Sequence, residues 1–330
     1  MSEQDSPACI VTGIHPPLPE PLNDDRLRRC KIAYSVRRVP LREMKTLLTG
    51  EQVPRAGDLV LARVIRTRQH GRLELTQGRR ARLYPGDEII VCYGNRYAPD
   101  QFEAEIPGNL DPCHLVAAGG IASSCLSRSA KVRPPTEIEP LGLIGDGDGR
   151  RLNLADHALP ALALPACRRP PVIAVAGTTM NAGKTTAAAH LIRGLVRSGC
   201  RVGAAKITGT GAGGDKWFMT DCGAGQVLDF TDAGHPSTYL LPPETIESIA
   251  HTLTGHLARE GAGVVVLEIA DGLYQQETAR LLAGRFFADW VDGVLFAAAD
   301  AMGAVAGARA LERLGLCLVG LGGALTASPL

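Results

Sequence analysis

The chain has 330 residues, 45% of them hydrophobic and 21% charged, with a formal net charge of +1. That length suits roughly two domains, and so small a charge excludes global attraction to nucleic acid or membrane, leaving local patches. The nine cysteines form no CxxC pair, which argues against a disulfide framework or a zinc ribbon. No run approaches the ~18 apolar residues of a membrane span. The polar start Met1–Asp5 has no signal core, so the expected location is the cytoplasm.

Residues 1–30 carry Pro16, Pro17, Pro19 and Pro21 close together and are expected to form a flexible N-terminal arm. From 31 to 164 the pattern is one of short strands. Asp58–Ile65 is an apolar run behind Gly57, Arg72–Thr76 alternates strictly, Arg80–Leu83 alternates more briefly, and Gly86-Asp87 opens Glu88–Tyr93. Short strands broken by glycine turns predict a small β-rich barrel or sandwich. Arg55, Arg63, Arg66, Arg68, Arg72, Arg79, Arg80 and Arg82 lie here with His70. A phosphate-rich ligand or RNA is one reading of them, and solvated strand faces are the other. Only Tyr84, Tyr93 and Tyr97 interleave, which is thin for base stacking and argues against nucleic acid. Gly94–Asp100 reads as a turn with concentrated polar chemistry. The small-residue stretch 117–129 has a composition that could approach a phosphate, but no lysine or helix follows. Cys125 within it has no identifiable partner base and reads as an inert thiol.

Pro160, Pro165, Pro170 and Pro171 mark an interdomain linker. From 165 to 330 helix and strand patterns alternate. Strand 172–176 leads to helix 184–198, which Gly199 stops. Strand 201–206, a polar glycine-rich loop 208–220, helix 243–260 and strand 263–269 follow. Helix 275–284, strand 293–297, helix 302–314 and strand 316–321 complete the order. An α/β fold results, with a mostly parallel sheet and helices on both faces.

The sharpest feature is Gly177-Thr178-Thr179-Met180-Asn181-Ala182-Gly183-Lys184-Thr185-Thr186, placed after an apolar run and before an alanine-rich amphipathic segment. Strand, phosphate-binding loop and helix form a unit that holds a nucleotide polyphosphate. Loop N–H groups and the positive helix end face the phosphates. Gly177, Thr178, Thr179, Asn181, Ala182, Gly183, Lys184, Thr185 and Thr186 are the expected cofactor-binding residues. Lys184 supplies a point charge to the terminal phosphates, and the Thr185 hydroxyl suits Mg²⁺. Five residues separate Gly177 from Gly183, one more than in the ordinary P-loop. Glu268 ends a buried strand, where parallel strands meet the ligand crevice, and a buried carboxylate needs a cation or a partner. Asp271 and Glu277 are further acids nearby.

Gly177–Thr185 resembles the loop of dethiobiotin synthetase and the cobyric acid synthase group, which are P-loop NTPases with the same spacing. Gly199–Lys206 resembles their second strand, which also ends in lysine. Phe230–Thr238 resembles their short Pro-Ser segment, so the resemblance covers about 170–270. It implies ATP and Mg²⁺, with Mg²⁺ held by Thr185, Asp221 and Glu268, and with Asp215 as the alternative to Asp221. It implies Lys184 and Lys206 as catalytic residues. The expected reaction is phosphoryl transfer to a carboxylate, carbamate or hydroxyl of a small molecule held by residues 207–222 and 230–239, activating it for amide or ring ligation. The chain departs from those proteins at Glu268-Ile-Ala-Asp-Gly272, where they have Glu-Gly-Ala-Gly. They also continue beyond the last strand, so the C-terminal domain is expected to be incomplete or to be completed by the N-terminal module. Two other functions fit the pattern. A polynucleotide kinase is suggested by the arginines and opposed by the loop spacing; the other is a nucleotide-dependent partner-binding switch. A homo-oligomer is compatible with all three.

Overall fold

Period-two patterning gives way near residue 170 to longer apolar runs, and the backbone changes character at the same place. The computed structural model describes residues 19–162 and 169–327. The first stretch contains β1 (Glu20–Pro21), α1 (Asp24–Arg29), β2 (Lys31–Ile32), β3 (Thr46–Leu48), β4 (Leu59–Arg66), β5 (Arg72–Glu74) and β6 (Arg80–Arg82). It continues with β7 (Glu88–Tyr93), β8 (Arg96–Tyr97), β9 (Phe102–Glu105), β10 (Cys113–Ala117), β11 (Ile121–Arg128) and β12 (Thr136–Gly145).

Five of these strands close on themselves. β4 pairs with β7 and β12, β12 with β10, β10 with β11, and β11 returns to β7. Only the β7–β11 pair is parallel. Closure leaves those five strands without a free edge, and Leu59, Leu61, Ile90, Val91, Leu115 and Ile138 belong to their common buried cluster. The remaining strands extend the ring, except for the separate β5–β6 hairpin.

Residues 19–30 are not an extended arm. β1 pairs with β3, the Asn23 side chain caps α1 by accepting from the Arg26 N–H at 2.9 Å, and Leu22 and Leu27 are buried. Pro21 is tolerated because an edge strand needs no N–H on its open side. The first eighteen residues of the expected arm lie outside the described residues, as do 163–168 of the expected linker. The stretch 117–129 is not a phosphate loop either. It is the end of β10, a turn and β11, paired on both sides. Several arginines of the region are occupied: Arg63 faces Glu88 and Glu139, and Arg66 and Arg68 face Glu137.

The second stretch contains β13 (Val172–Gly177), α2 (Lys184–Arg197), β14 (Val202–Lys206), α3 (Gly214–Asp221), β15 (Gln226–Asp229) and α4 (Pro243–Arg259). Then come β16 (Val264–Glu268), α5 (Gln276–Leu282), α6 (Arg285–Trp290), β17 (Gly293–Ala297), α7 (Ala301–Arg313) and β18 (Leu318–Gly322). The six strands are all parallel, in the order β15-β14-β16-β13-β17-β18. Alternation divides each strand between two cores. Ala174, Ala176, Val265 and Leu267 pack with Ile246, Leu253, Phe286 and Phe287 on one face. Val175 and Val266 pack with Ala188, Ile192 and Met219 on the other. Helix α3, strand β15 and helix α6 are absent from the sequence expectation. α3 starts inside the glycine-rich run, β15 has only four residues, and Gly284 separates α6 from α5. Among the described residues no helix is long and apolar enough to cross a membrane.

The two sheets meet along the glycine-rich run 207–214. Glu74 of β5 accepts from the Gly213 N–H at 2.9 Å and from Trp217 Nε1 at 2.8 Å. A Cβ on Gly119 would stand 2.1 Å from the Gly211 carbonyl oxygen, so the two backbones touch there. Gly119→Ala is therefore expected to destabilise the fold by about 1–3 kcal/mol through overpacking. A urea midpoint equal to that of the parent would show that the contact carries no stability.

Candidate phosphate-binding site

Three consecutive features of the chain build the site. β13 stops at Gly177, where an added Cβ would stand 2.6 Å from the Ala297 carbonyl and 2.8 Å from Lys184 Cγ. The loop then turns back through Asn181 and Gly183, whose φ angles are 66° and 95°. Glycine takes that region freely and asparagine more readily than most residues. α2 begins at once with Lys184, so its unpaired first N–H groups open onto the loop. The Ala188, Ala189 and Ile192 face of α2 is buried against the sheet. Gly199, at φ 85°, follows the helix end.

The functional side chains converge from four elements. Lys184 is 6% exposed, and its Nζ donates to the Thr179 carbonyl at 2.7 Å. Thr185 Oγ1 donates to Glu268 Oε1 at 2.6 Å. Glu268 ends β16 and is buried, and its second oxygen, Oε2, has no hydrogen-bond partner. Lys206 is the register partner of Glu268 across the β14–β16 ladder and pairs with Asp215 from the first turn of α3. Asp271 follows β16. Lys184, Thr185, Lys206, Asp215, Glu268 and Asp271 line one cavity of about 390 Å³.

Burial sets the ionisation of the group. It pushes the Glu268 and Asp271 carboxyls up from the usual carboxylate range, and Lys206 and Lys184 pull the other way. Burial pulls Lys184 down, against the nearby Asp271 and Glu268. Lys206 is also buried, yet Asp215 and Glu268 outweigh the desolvation and hold it above the ordinary lysine range. Two ammonium groups thus face three acids. A polyphosphate entering this cavity needs a dication to sit beside the carboxylates.

Among the described residues no group of three or more His, Cys, Asp or Glu side chains is arranged to hold a metal unaided. Mg²⁺ does not require one, since it is usually bound through one or two carboxylates together with phosphate oxygens and water. The orphaned Glu268 Oε2 beside the Thr185 hydroxyl fits that pattern.

Asn181, Gly183, Lys184, Thr185, Thr186, Lys206 and Glu268 line this one cavity. Gly177 supplies the close turn and Thr179 the carbonyl for Lys184. The Ala182 carbonyl accepts from the Ala324 N–H at 2.9 Å, and the Thr178 hydroxyl is buried without a partner. Asp221 does not belong with them. It is the exposed last residue of α3, six positions beyond Asp215. In a helix that is about 240° round the axis and about 9 Å along it. Asp215 holds the inward place instead. The expected acceptor segments are also partly committed elsewhere. Gly211 lies against Pro236 and Ile121, and Pro236 against Gly94, so much of 207–213 and 231–238 is contact between the sheets. Glu277 accepts from the Leu240 N–H at 3.2 Å.

Sequence reasoning allowed that the N-terminal module completes the site but assigned no residue of it to the loop. Asn181 Nδ2 in the loop donates to Asp100, and Tyr97 stacks on Tyr239 with centroids 5.5 Å apart. The polar run Gly94–Asp100 was the available signal.

No protein-family model matches the chain, and no curated protein matches it. Solved structures are similar over part of it. The signal recognition particle receptor FtsY of Elizabethkingia anophelis is 17% identical over 49% of this chain and 52% of its own, with a TM-score of 0.33. The kinase domain of the Escherichia coli tyrosine kinase ETK is 14% identical over 48% of this chain and 70% of its own, at 0.32. The 54 kDa signal recognition particle protein of Aeropyrum pernix, in complex with GDP, is 17% identical over 49% of this chain and 43% of its own, at 0.31. This chain spans about half the length of the first and third of these. What gives the second sheet a P-loop NTPase fold is its own construction: a parallel sheet, a central strand ending in a glycine loop, and a helix opening on Gly-Lys-Thr-Thr with an acid on the adjacent strand.

Proposed function

We propose that the chain binds MgATP on the loop 177–186 and transfers the terminal phosphoryl group to a carboxylate, carbamate or hydroxyl of a small molecule, in the manner of the dethiobiotin synthetase and cobyric acid synthase group. The observation that carries this reading is the single cavity shared by Lys184, Thr185, Lys206 and Glu268. Thr185 and Glu268, with Asp215, would hold Mg²⁺, which neutralises phosphate charge when bound. Lys184 and Lys206 both line this cavity, so they would stabilise electrostatically the charge that builds on the transferred group. The acceptor oxygen attacks the terminal phosphorus, the bond to the bridging oxygen breaks, and ADP leaves; a carboxylate or carbamate brings no proton, and a hydroxyl would release its proton to water. In this reading residues 31–164 and 165–330 act as two domains that enclose the acceptor between them.

A second cavity supports the adenosine end. It holds about 520 Å³ and shares Gly183 and Thr186 with the first, continuing along Ala187, His190, Leu191 and the backbone of Gly322–Ala324. Among the described residues its lining has no carboxylate to accept from the N1–H and amino group of a guanine, which we take as support for adenine. The arginine–glutamate pairs of the first sheet reduce the free positive charge that a polynucleotide substrate would need.

Glu268→Gln tests the reading. It keeps the size and the Thr185 hydrogen bond but removes the charge. ADP formation is expected to fall by about a hundredfold, a loss typical of one preorganised electrostatic group, and the Mg²⁺ concentration giving half-maximal rate is expected to rise. Unchanged magnesium dependence would remove Glu268 from the metal and sink this assignment.

A further inference from the structure

Glu74 is a buried carboxylate without a cation. It is 1% exposed and lies on the β5–β6 hairpin, which stands apart from the ring of strands. Among the described residues it forms no ion pair, although Arg80 is its register partner in the hairpin. Both of its oxygens go to α3 instead. Oε2 accepts from the Gly213 N–H at 2.9 Å, and Oε1 accepts from Trp217 Nε1 at 2.8 Å. Burying a carboxylate is costly, and an apolar side chain would close the contact without that cost. The positive end of a helix offsets part of it.

The local sequence leaves α3 in need of that contact. Its N-cap is Gly213, and no side chain of the helix caps it. In a capping box, a Glu or Gln at the third helical position reaches back to the N-cap N–H. In α3 that position is Lys216, which can only donate. The helix also opens on Gly213-Gly214, and glycine loses more freedom on ordering than any other residue. Glu74 supplies from 139 positions away the acceptor that a capping box would supply locally. It also holds Trp217, one turn on, whose N–H donates to the Gly213 carbonyl at 2.9 Å. The Gly78 turn of the hairpin closes over the indole, where an added Cβ would stand 2.7 Å from the ring. Asp215 lies between these two anchored residues. It is the α3 residue that lines the P-loop cavity and pairs with Lys206.

We propose that Glu74 is a positioning residue for the magnesium site: from the first sheet it fixes the first turn of α3 and so holds Asp215 in the P-loop cavity. The inference rests on the phosphoryl-transfer reading of the site, and it makes one hairpin of the first sheet part of the nucleotide machinery. Glu74 does not line the cavity itself, so its removal acts on the metal through Asp215.

Calorimetric titration of the full chain with AMPPNP over a range of Mg²⁺ concentrations reads the metal dependence of the site without turnover. Glu74→Ala is expected to raise the Mg²⁺ concentration for half-maximal binding by about tenfold, the scale of one hydrogen bond to a charged group. Glu74→Gln keeps one acceptor for the two donors and is expected to fall between parent and alanine. Asp215→Asn is expected to raise it by a similar factor. Adding Glu74→Ala to Asp215→Asn should then change it by no more than about twofold, because both act through one group. In the metal-free chain, amide exchange over 213–217 should quicken in Glu74→Ala and keep the parent rate over α2. Unchanged Mg²⁺ dependence in Glu74→Ala overturns the proposal, as does unchanged exchange over 213–217. Losses that multiply in the double variant also overturn it, since they would make Glu74 a general support of the fold. Should Glu74→Ala fail to fold, Glu74→Gln decides on the same criteria. A parent chain that binds no AMPPNP at any Mg²⁺ concentration sinks the nucleotide reading and the proposal with it, whereas parent binding with unaffected Glu74 variants sinks the proposal alone.

Discussion

Lys184→Ala is expected to remove MgATP binding while leaving the chain folded, and equilibrium titration with a fluorescent ATP analogue reads the loss. Nζ of Lys184 holds the Thr179 carbonyl at 2.7 Å, within the loop that would carry the phosphates. On binding, the ammonium exchanges that neutral acceptor for phosphate oxygens. A hydrogen bond to a charged group contributes about 1.5–3 kcal/mol. At tenfold per 1.4 kcal/mol, even one such bond is worth about one to two orders of magnitude in affinity. Lys184 also adds Coulombic attraction in a site where Asp215, Glu268 and Asp271 repel the nucleotide, so the loss should lie at or above the upper end. Stability should change much less. Burial already disfavours the Lys184 charge, and relief of that cost offsets part of what is lost when Asp271 and Glu268 lose a neighbouring cation and the Thr179 carbonyl its donor. Thermal unfolding should therefore shift little. An alanine variant that binds MgATP as the parent does would refute the phosphate reading of the loop.

The parts of this site that are legible in the sequence are those fixed by local rules. Lys184 and Thr185 follow from a glycine loop between an apolar run and an amphipathic run. Glu268 follows from an acid at the end of a strand buried on both faces, and the parallel ladder places it opposite Lys206. The choice between Asp215 and Asp221 is different. Both lie in or beside a polar, glycine-rich run, and only the helix hidden there decides which faces β14. The glycines of 207–214 have the composition of a ligand loop, yet Gly211 and Gly213 serve mainly to let the first sheet approach. Gly211 meets Pro236 and Ile121, and a Cβ on Gly213 would stand 2.5 Å from Glu74 Oε1. That contact joins residues more than a hundred positions apart, which no local periodicity reports.

Arg37→Ala is expected to be the most destabilising single change at the contact between the sheets. The Arg37 side chain is 10% exposed and meets Asp232 at 2.7 Å and Asp229 at 3.2 Å, both nearly fully buried. It also lies over the Tyr34 ring at 4.1 Å, and the Tyr34 hydroxyl donates to Asp229. Removing the guanidinium leaves two buried carboxylates with only Lys216 and Arg38 nearby, at 3.8 Å and 3.7 Å from Asp232. Breaking a buried pair on one side costs about 3–5 kcal/mol.

The pH dependence identifies the cause. Burial alone would raise the Asp229 carboxyl, but Arg37 and the Thr231 and Tyr34 hydrogen bonds outweigh it and hold it down at about 2. A depressed carboxyl contributes stability that is present above its unfolded value, near 4, and is lost as the pH falls through its folded value, near 2. For Asp229 that contribution is of order 2 kcal/mol. Without Arg37 the depression is largely removed, so the gap between parent and variant should narrow from pH 7 to pH 3 in urea titrations. A gap of equal size at both would assign the loss to packing of the arginine stem rather than to its charge. The damage should also reach the nucleotide site. Asp229 ends β15 as the register partner of Lys206, so a strand end pushed outward by two carboxylates that have lost their main counter-charge carries the Lys206 backbone with it. ADP formation should then fall in Arg37→Ala even at temperatures where the variant remains folded, and Asp229→Asn in the same chain should restore part of both losses.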